Sequence, residues 1–314
     1  MDIFSEPQFH DDDAARAVLE DILWPDGPVC PHCGTVDRAY RTKRVGVYRC
    51  ASKGCRKDFS VTKGTIMERS HISLHKWLQA FHLMASSKKG VSAHQLHRTL
   101  DIGYEAAWFM AHRIREAMRL DGFAPMGGGG GIVEADETYY GKRENKRPSP
   151  ARRGRPYIKS GRAADKMPII SLVERGGRVR TFHVAVADKK TVKDIVTENV
   201  ARETRLHTDE SKLYFDAHEW IDSHETIKHS RGEYVRGDIH TNSAEGYFSI
   251  FKRGMKGIYQ HCREKHLHRY LAEYDFRYNH RIRLGFNDRD RTTEAIRGSS
   301  GKRLTYHQPH GAGV

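Results

Sequence analysis

The spacing of apolar residues changes near residue 130 of the chain. Before this point apolar residues recur every three or four positions, as in "SLHKWLQAFHLMASS", which predicts an amphipathic helix within residues 73–87. After it they come in short runs, "GIVEADETYY" and "KMPIISLVERGGRVRTFHVAV", which predict a strand and then a hairpin around a Gly-Gly turn. We therefore expect a helical first part and a second part built around a β-sheet.

The first part contains further helical patterns. Residues 11–23 predict a short amphipathic helix with aspartates in its first turn. The segment "GVSAHQLHRTLDIGYEAAWFMAHRIREAM" predicts a helix from about Ser92, a break at "DIG" and a second helix from Tyr104. Two helices joined by a Gly-containing turn are typical of a helix-turn-helix DNA-binding region, and also of an ordinary helical hairpin.

The second part alternates between strand and helix patterns. The segment "APMGGGGG", which ends at Gly131, predicts a flexible break between the two parts. Beyond the hairpin, "KKTVKDIVTENV" predicts a helix and "RLHTDES" and "ETIKHS" predict short strands. Two helices, at about 243–254 and 265–281, close the domain. This order implies a mixed sheet with helices on its faces.

The charge of the chain favours a polyanionic partner. The 314 residues carry a formal net charge of +14, which is most simply explained by nucleic acid, although charge can also serve solubility alone. With 30% charged residues and no apolar run near the roughly 18 residues of a membrane span, a membrane protein is excluded. The acidic N-terminus lacks a signal-peptide pattern, so we expect a cytoplasmic protein.

A basic segment follows the first predicted strand of the second part. Residues 141–166, "GKRENKRPSPARRGRPYIKSGRAADK", are rich in Arg, Lys, Pro and Gly and predict a mobile loop. A solvated insertion has this composition too. Its position favours contact with a DNA backbone, for which Arg152, Arg153 and Arg155 are the candidates.

Four of the five cysteines form two close pairs. These are Cys30 with Cys33 in "CPHC" and Cys50 with Cys55 in "CASKGC". Their spacing matches a four-cysteine ribbon in which each tight turn supplies two thiolates to one Zn²⁺ ion. Two disulfides or four buried thiols are the rival interpretations. The expected reducing compartment disfavours the first, and the clustering disfavours the second.

Such a zinc site is structural rather than catalytic, because four thiolates leave no open coordination position. Gly34 and Gly54 are expected to let the backbone curl around the ion. Cys262 stands alone in the sequence and is expected to be a packed or surface thiol.

These observations predict a multidomain α+β chain with five segments. They are an N-terminal helix and zinc ribbon (1–70), a helical region that is the candidate for DNA binding (71–125), a Gly-rich linker (126–131), a mixed α/β core (132–285) that includes the basic loop 141–166, and a C-terminal tail (286–314).

Three carboxylates of the second part are placed so that they can converge. Asp136 lies at the end of the first predicted strand, Asp209 ends another, and Glu245 lies in the first turn of the helix in "HTNSAEGYFSIFKRG". Mg²⁺ and Mn²⁺ bind through a few carboxylates plus phosphate oxygens. Two such ions about 4 Å apart can activate a water or a 3′-hydroxyl and stabilise the leaving oxygen. Singly, each residue is unremarkable, since strand-end aspartates usually make turns.

The pattern as a whole resembles the acidic-triad (DDE) transposases and retroviral integrases. A zinc ribbon, helices, "ADETYYGKR", "LHTDES" and "HTNSAEGYFSIFKRG" followed by "HLHRYLAEYDFRYNHR" stand in the order of bacterial insertion-sequence transposases with an N-terminal zinc ribbon. The resemblance covers roughly residues 10–290 and implies a ribonuclease H-like catalytic core. It implies that Asp136 and Asp209 are the first two metal ligands.

The third ligand is either Glu245 or Asn242. The 35 residues between Asp209 and Glu245, and Lys252 seven residues beyond Glu245, fit the general triad. Some members of the group use an asparagine, and Asn242 lies three residues away on the same helix. We favour Glu245, because a carboxylate binds Mg²⁺ better than an amide does. Asn242 or Ser243 is then expected to cap the helix.

The resemblance implies a function in DNA transposition. The ribbon and the helical region would bind inverted-repeat element ends, and the core would hydrolyse a phosphodiester and transfer the strand to target DNA. Lys252 and Arg253 are candidate DNA contacts, and paired ends imply a homo-oligomer. Two alternatives stay open, namely a non-catalytic zinc-ribbon DNA-binding regulator and a metal-dependent nuclease without strand transfer.

Overall fold

The computed structural model describes residues 3–120, 122, 124–144, 149–152, 155–157 and 165–305. They fall into two compact units. The first unit comprises the described residues up to 120 together with those from 285 onward, and the second comprises those in between. Within the described residues, no helix is both long enough and apolar enough to cross a membrane.

Helices and strands alternate along the chain in the predicted order. The helices are α1 (Asp12–Leu23), α2 (Leu74–Ser86), α3 (Ala93–Leu100), α4 (Tyr104–Met118), α5 (Lys189–Asn199), α6 (Asn242–Gly254), α7 (Leu267–Asn279) and α8 (Asp288–Arg297). The strands are β1 (Ala39–Arg41), β2 (Tyr48–Cys50), β3 (Asp58–Phe59), β4 (Ile132–Tyr140), β5 (Ser149–Arg152), β6 (Arg155–Tyr157), β7 (Met167–Glu174), β8 (Val179–His183), β9 (Arg205–Thr208) and β10 (Ser223–Thr226).

The first unit begins with a small antiparallel sheet of order β1-β2-β3. Its core is a short cluster in which Trp24 lies edge-on to Tyr48, with ring centroids 5.4 Å apart, and Tyr48 stacks on Phe59 at 5.9 Å. A sheet of this size buries too little apolar surface to be stable alone. It therefore depends on an additional constraint, which the four cysteines supply.

The helices α1 to α4 confirm the predicted helical patterns. Helix α1 is capped by Asp11, which accepts the backbone N–H of Ala14 at 2.7 Å. Ser92 caps α3 in the same way through Gln95, and α3 ends at Asp101 in a left-handed conformation with φ 48°. The predicted break at "DIG" lies here, and α4 follows directly.

The C-terminal segment differs from the predicted tail at 286–314. Its helix α8 packs against α2, and His82 Nδ1 lies 3.0 Å from Thr292 Oγ1. Helix α8 has few apolar residues, so its sequence lacks an amphipathic pattern. A capping box of Asn287 and Asp290 and the burial of Ile296 stabilise it instead.

The second unit contains a five-stranded mixed sheet of order β10-β9-β4-β7-β8. Strand β7 runs antiparallel to β4 and β8, whereas β9 runs parallel to β4 and β10. Strand β4 is therefore the centre of the sheet. The predicted strands and the hairpin are confirmed, and α5 connects the antiparallel half to the parallel half.

Helices cover both faces of this sheet, as predicted. One face, with Val133 and Ala135 of β4, packs against α5 through Val192 and Val196. The other face packs against α6 and α7 through an aromatic cluster that includes Tyr247, Phe248, Phe251, Tyr270 and Tyr274. The alternation of strand residues places Glu134 and Asp136 on this second face.

The Gly-rich segment is a packed turn rather than a flexible linker. Met126 bridges to Val200, and Gly127 donates its N–H to the Glu174 carboxylate at 3.0 Å. Gly127 has φ +75°, and a Cβ there would meet Thr204 at 2.5 Å. The glycines therefore serve close packing and positive φ angles in the second unit.

The basic loop 141–166 is described only in part. Strands β5 and β6 pair antiparallel within it, so it contains a short hairpin. The candidates Arg152 and Arg155 lie on these strands, and Arg153 lies outside the described residues.

Helix α8 should contribute to the stability of the first unit. We expect Ile296→Ala to lower the free energy of unfolding by about 2–5 kcal/mol, because it removes a buried aliphatic side chain of α8 and leaves a cavity. Ile282→Ala, at a position that is 78% exposed, is the matched control and should change it by less than about 0.5 kcal/mol. Urea denaturation measures both. Equal effects would mean that α8 does not pack in solution.

Candidate metal centre and acidic site

The four cysteines of the ribbon converge on one point. Their sulfur atoms all lie within 4.8 Å of one another, and two of the separations are 3.7 Å (Cys30 to Cys55) and 3.6 Å (Cys33 to Cys50). A tetrahedral Zn²⁺ with bonds of about 2.3 Å requires sulfur atoms about 3.8 Å apart. The arrangement therefore fits a structural zinc ion.

The two turns that hold the cysteines differ in backbone conformation. Gly34 has φ +73° and donates its N–H to Cys30, as the sequence indicated. Gly54 is not in the left-handed region, and Arg56 has φ 50° instead. Burial raises the pKa of the Cys30 thiol to about 11, whereas hydrogen bonding to Thr35 lowers the pKa of Cys33 to about 6. Zinc stabilises the thiolate form of all four.

Cys262 is not part of this cluster. It lies in the second unit, half-buried against the aromatic face of the sheet, as expected for a packed thiol.

The predicted acidic residues come from three separate segments of the second unit. Asp136 lies in the middle of β4, not at its end as predicted, because the strand continues to Tyr140. Asp209 directly follows the adjacent parallel strand β9, and Glu245 lies in the first turn of α6. Burial raises the pKa of Asp136 to about 7, and the negative charges of Asp209, Glu137 and Glu245 contribute to the rise. Asp209 and Glu245 are therefore each close enough to Asp136 for their charges to disfavour its ionised form.

This electrostatic arrangement fits divalent cations. A positive charge placed between a half-buried carboxylate and its negative neighbours stabilises the ionised form of that carboxylate. Among the described residues, the cysteines are the one group of three or more potential ligands whose atoms all lie within 4.8 Å.

Local hydrogen bonds hold Asp209 in place. Asp209 Oδ1 accepts the backbone N–H of Ser211 at 3.0 Å, and Ser211 Oγ donates to Glu137 at 2.7 Å. Glu137, which the alternation of β4 places on the opposite face from Asp136, thus supports the Asp209 loop. Glu210 instead accepts the Ser230 N–H and Oγ–H groups.

Glu245 and Asn242 are both exposed on the first turn of α6. Glu245 Oε1 lies 3.6 Å from His229 Nε2. Neither Asn242 nor Ser243 caps the helix as predicted. The N-cap is Thr241, whose side chain makes no capping hydrogen bond.

The capping carboxylate is Glu134, which the sequence analysis did not assign to the site. It is fully buried, and its Oε2 accepts the N–H groups of Ser243 at 2.7 Å and Ala244 at 3.1 Å. Arg175 binds its Oε1 through Nη2 at 2.9 Å, and His240 Nδ1 lies 3.4 Å from the same oxygen. The one sequence signal was its position two residues before Asp136, on the same face of the strand.

The candidate DNA contacts lie at the distal end of α6. Lys252 Nζ lies 5.8 Å from the Phe248 ring centroid, and the exposed Arg253 hydrogen-bonds to the Ser249 carbonyl. They are two helical turns from Glu245, or about 10 Å along the axis.

Comparison with known proteins defines the family. The sequence matches the transposase zinc-ribbon domain over residues 10–58 and the ISXO2-like transposase domain over residues 129–279. An uncharacterized protein in transposable element ISH50 of Halobacterium salinarum is 30% identical over 251 residues, which cover 76% of this chain and 81% of that protein. The chain therefore belongs to the ISXO2-like transposases with an N-terminal transposase zinc ribbon.

Two solved structures show distant similarity. They are a Mos1 strand transfer complex, at 12% identity and a TM-score of 0.28, and a pre-cleavage Mos1 transpososome, at 11% and 0.23. In both cases the match covers 73% of this chain and 79% of the other. Similarity at this level does not define a fold.

Replacing one ribbon cysteine should abolish zinc binding. We expect Cys50→Ser to reduce bound zinc from about one ion per chain to near zero, because three thiolates no longer close the tetrahedral site. Cys262→Ser is the matched control and should retain the metal. Elemental analysis of purified protein after dialysis measures both. Equal zinc contents in the two variants would contradict the assignment.

Divalent cations should stabilise the second unit through its acidic site. At 100 times its dissociation constant, Mn²⁺ should stabilise the wild-type protein by about 2.7 kcal/mol and raise its Tm by several degrees. Asp136→Asn should lose this shift and should melt higher than wild type in EDTA, because it removes the repulsion among carboxylates. Differential scanning fluorimetry measures both effects.

The control for this measurement is Asp222→Asn, which changes a carboxylate that is 60% exposed and paired with Arg202. It should keep the Mn²⁺-dependent shift of the wild type. A shift that survives in Asp136→Asn would place the cation elsewhere.

Proposed function

We propose that this protein is the DNA transposase of an insertion sequence, which binds the element ends, hydrolyses a phosphodiester and transfers the resulting strand to target DNA. The observation that carries the proposal is the convergence of Asp136, Asp209 and Glu245 from β4, the end of β9 and α6. In a chain of this family, with a net charge of +14, such a site points to phosphodiester chemistry.

The sheet supports the expectation of a ribonuclease H-like core. Three antiparallel strands, β8, β7 and β4, are followed across the sheet by β9 and β10, which run parallel to β4. Helix α5 connects the two halves, and α6 packs on the opposite face. We propose this class of fold on that strand order.

The catalytic ions are held, in this proposal, by Asp136 and Asp209, with Glu245 as the third ligand. Magnesium or manganese ions, when bound, supply activation of the attacking oxygen and stabilisation of the leaving oxygen. The carboxylates provide oxygen ligands of the kind these ions prefer. Asn242 is the alternative third ligand, because it is exposed on the same turn of α6.

Other parts of the chain would bind the DNA. The zinc ribbon and the α3–α4 pair, as a helix-turn-helix, are proposed to bind the inverted-repeat ends. Lys252 and Arg253, with Arg152, Arg153 and Arg155 of the basic loop, are proposed to contact phosphates. Holding two ends together requires a second protomer, so we propose a homo-oligomer on paired ends.

Strand transfer in vitro tests this function. Purified protein, Mg²⁺ and labelled DNA from the flanks of its own gene should give nicked and joined products. Asp136→Asn, Asp209→Asn and Glu245→Gln should each lower the rate by more than about 100-fold, because each removes a ligand of the metal ions. Glu210→Gln, which changes the exposed neighbour of Asp209, is the matched control and should stay close to wild type.

The products distinguish the alternatives. If Asn242→Ala abolishes joining and Glu245→Gln does not, the function stands with a different third ligand. Nicking without joining would identify a nuclease. Tight binding of the ends with neither reaction, in Mg²⁺ or Mn²⁺, would identify a DNA-binding regulator.

A further inference from the structure

We propose that Glu134 is a positioning residue, which fixes the first turn of α6 against β4 and so sets the third metal ligand opposite Asp136. The inference rests on the proposed function for its catalytic consequence. The structural part, the capture of the helix by a carboxylate of the central strand, stands on contacts within the second unit.

The buried carboxylate of Glu134 has a partner for each oxygen. Oε2 accepts the N–H groups of Ser243 and Ala244. Oε1 accepts Ser243 Oγ–H at 2.9 Å and the Arg175 guanidinium. A charge in a dry interior is tolerated only when it is paired and hydrogen-bonded. The buried charge of Glu134 therefore depends on its hydrogen bonds to the first turn of α6 and to Arg175, and that turn depends on Glu134 for its acceptors.

Helix α6 is not capped by the side chain of the residue that precedes it. Helices α1, α3 and α5 are capped by the residue that precedes each of them, namely Asp11, Ser92 and Asp188. In α6 the preceding residue, Thr241, makes no such bond. The Asn242 N–H lies 3.4 Å from His240 Nδ1, and the next two N–H groups are bound by a residue 109 and 110 positions away. A carboxylate at a helix N-terminus also interacts favourably with the helix dipole.

Glu134 lies at a point of the sheet where its strand is paired on both sides. Its partners in the neighbouring strands are Val173 of β7 and His207 of β9, so β4 is held on both sides. Asp136 lies two residues further, about 7 Å along the same strand and on the same face. Glu245 immediately follows Ala244, whose N–H binds Glu134. One strand thus presents the first carboxylate and anchors the turn that presents the third.

Arg175 extends the same contact to the segment before α6. Its Nη1 binds the Asp238 carbonyl at 2.6 Å, and its Nη2 binds the His240 carbonyl at 3.1 Å. The backbone N–H of Arg175 in turn binds the Ile132 carbonyl of β4. The entry of the chain into α6 is therefore fixed to the sheet through this guanidinium.

Glu134→Gln isolates the positioning role, because the amide has nearly the same size. Its NH₂ group must face either the helix N–H groups or the guanidinium, and both are donors. We expect faster exchange of the Ser243 and Ala244 amides and a strand-transfer rate about 10–100-fold below wild type.

A double-mutant cycle on Mn²⁺ affinity shows whether Glu134 acts through α6. Mn²⁺ binding is measured by electron paramagnetic resonance of the full chain without DNA. Glu245→Gln should weaken binding several-fold in the wild-type background and have much less effect in Glu134→Gln, because the ligand is already misplaced. If Asn242 is the third ligand, Asn242→Ala should show this loss of effect instead.

Glu273→Gln controls for loss of stability alone. Glu273 is also a fully buried glutamate of the second unit, paired with Arg277 on α7. In its background the effect of Glu245→Gln, or of Asn242→Ala, should equal that in wild type. If the effects of Glu245→Gln and of Asn242→Ala on Mn²⁺ affinity are each additive with that of Glu134→Gln, the positioning role is overturned.

Hydrogen exchange separates this inference from the proposed function. Unchanged exchange at Ser243 and Ala244 in Glu134→Gln would overturn the inference even if the wild-type protein transposes DNA. Selectively faster exchange there supports the positioning of α6 by Glu134 even if the wild-type protein neither binds Mn²⁺ nor joins strands, results that would instead overturn the proposed function.

Discussion

The second unit depends on how the central strand β4 accommodates two carboxylates on one face. Glu134 is buried completely and is neutralised by Arg175 and by the helix N-terminus, which together satisfy both of its oxygens. Burial and the negative charges of Asp209, Glu137 and Glu245 raise the pKa of Asp136, which lies two residues later. Because an unpaired charge is costly in a low-dielectric interior, the first of these groups is stabilised as a carboxylate, whereas the pKa of the second is raised to about 7.

The sheet of the second unit and the ribbon of the first unit are stabilised in different ways. The second unit has a sheet covered on both faces by apolar clusters, so its core can offset the cost of an acidic site. The ribbon of the first unit has three short strands and a few aromatic residues, and it depends on four thiolates around one ion. Metal is a structural requirement in one unit and, in the proposed function, a catalytic one in the other.

The sequence predicted the elements better than it predicted their contacts. Local periodicity was sufficient for β4, for the hairpin of β7 and β8, and for helices such as α2, because each of them has a continuous buried face. The cysteine spacing was sufficient for the ribbon. Helix α8 was not predicted, because capping and a single buried isoleucine replace an apolar stripe. The Gly-rich segment was predicted to be flexible, since sequence alone does not reveal that Thr204 packs against Gly127.

The same limit applies within the acidic site. Asp136, Asp209 and Glu245 could be proposed from residue type and spacing, although Asp136 lies in the middle of β4 rather than at its end; the cap of α6 could not. Local rules assign a helix cap to the preceding residues, and here they pointed to Asn242 or Ser243. The structure uses a residue more than 100 positions earlier, a choice that only tertiary contacts determine. This long-range cap leaves the Asn242 side chain without a capping role, so both Asn242 and Glu245 are exposed on the turn that Glu134 holds in place.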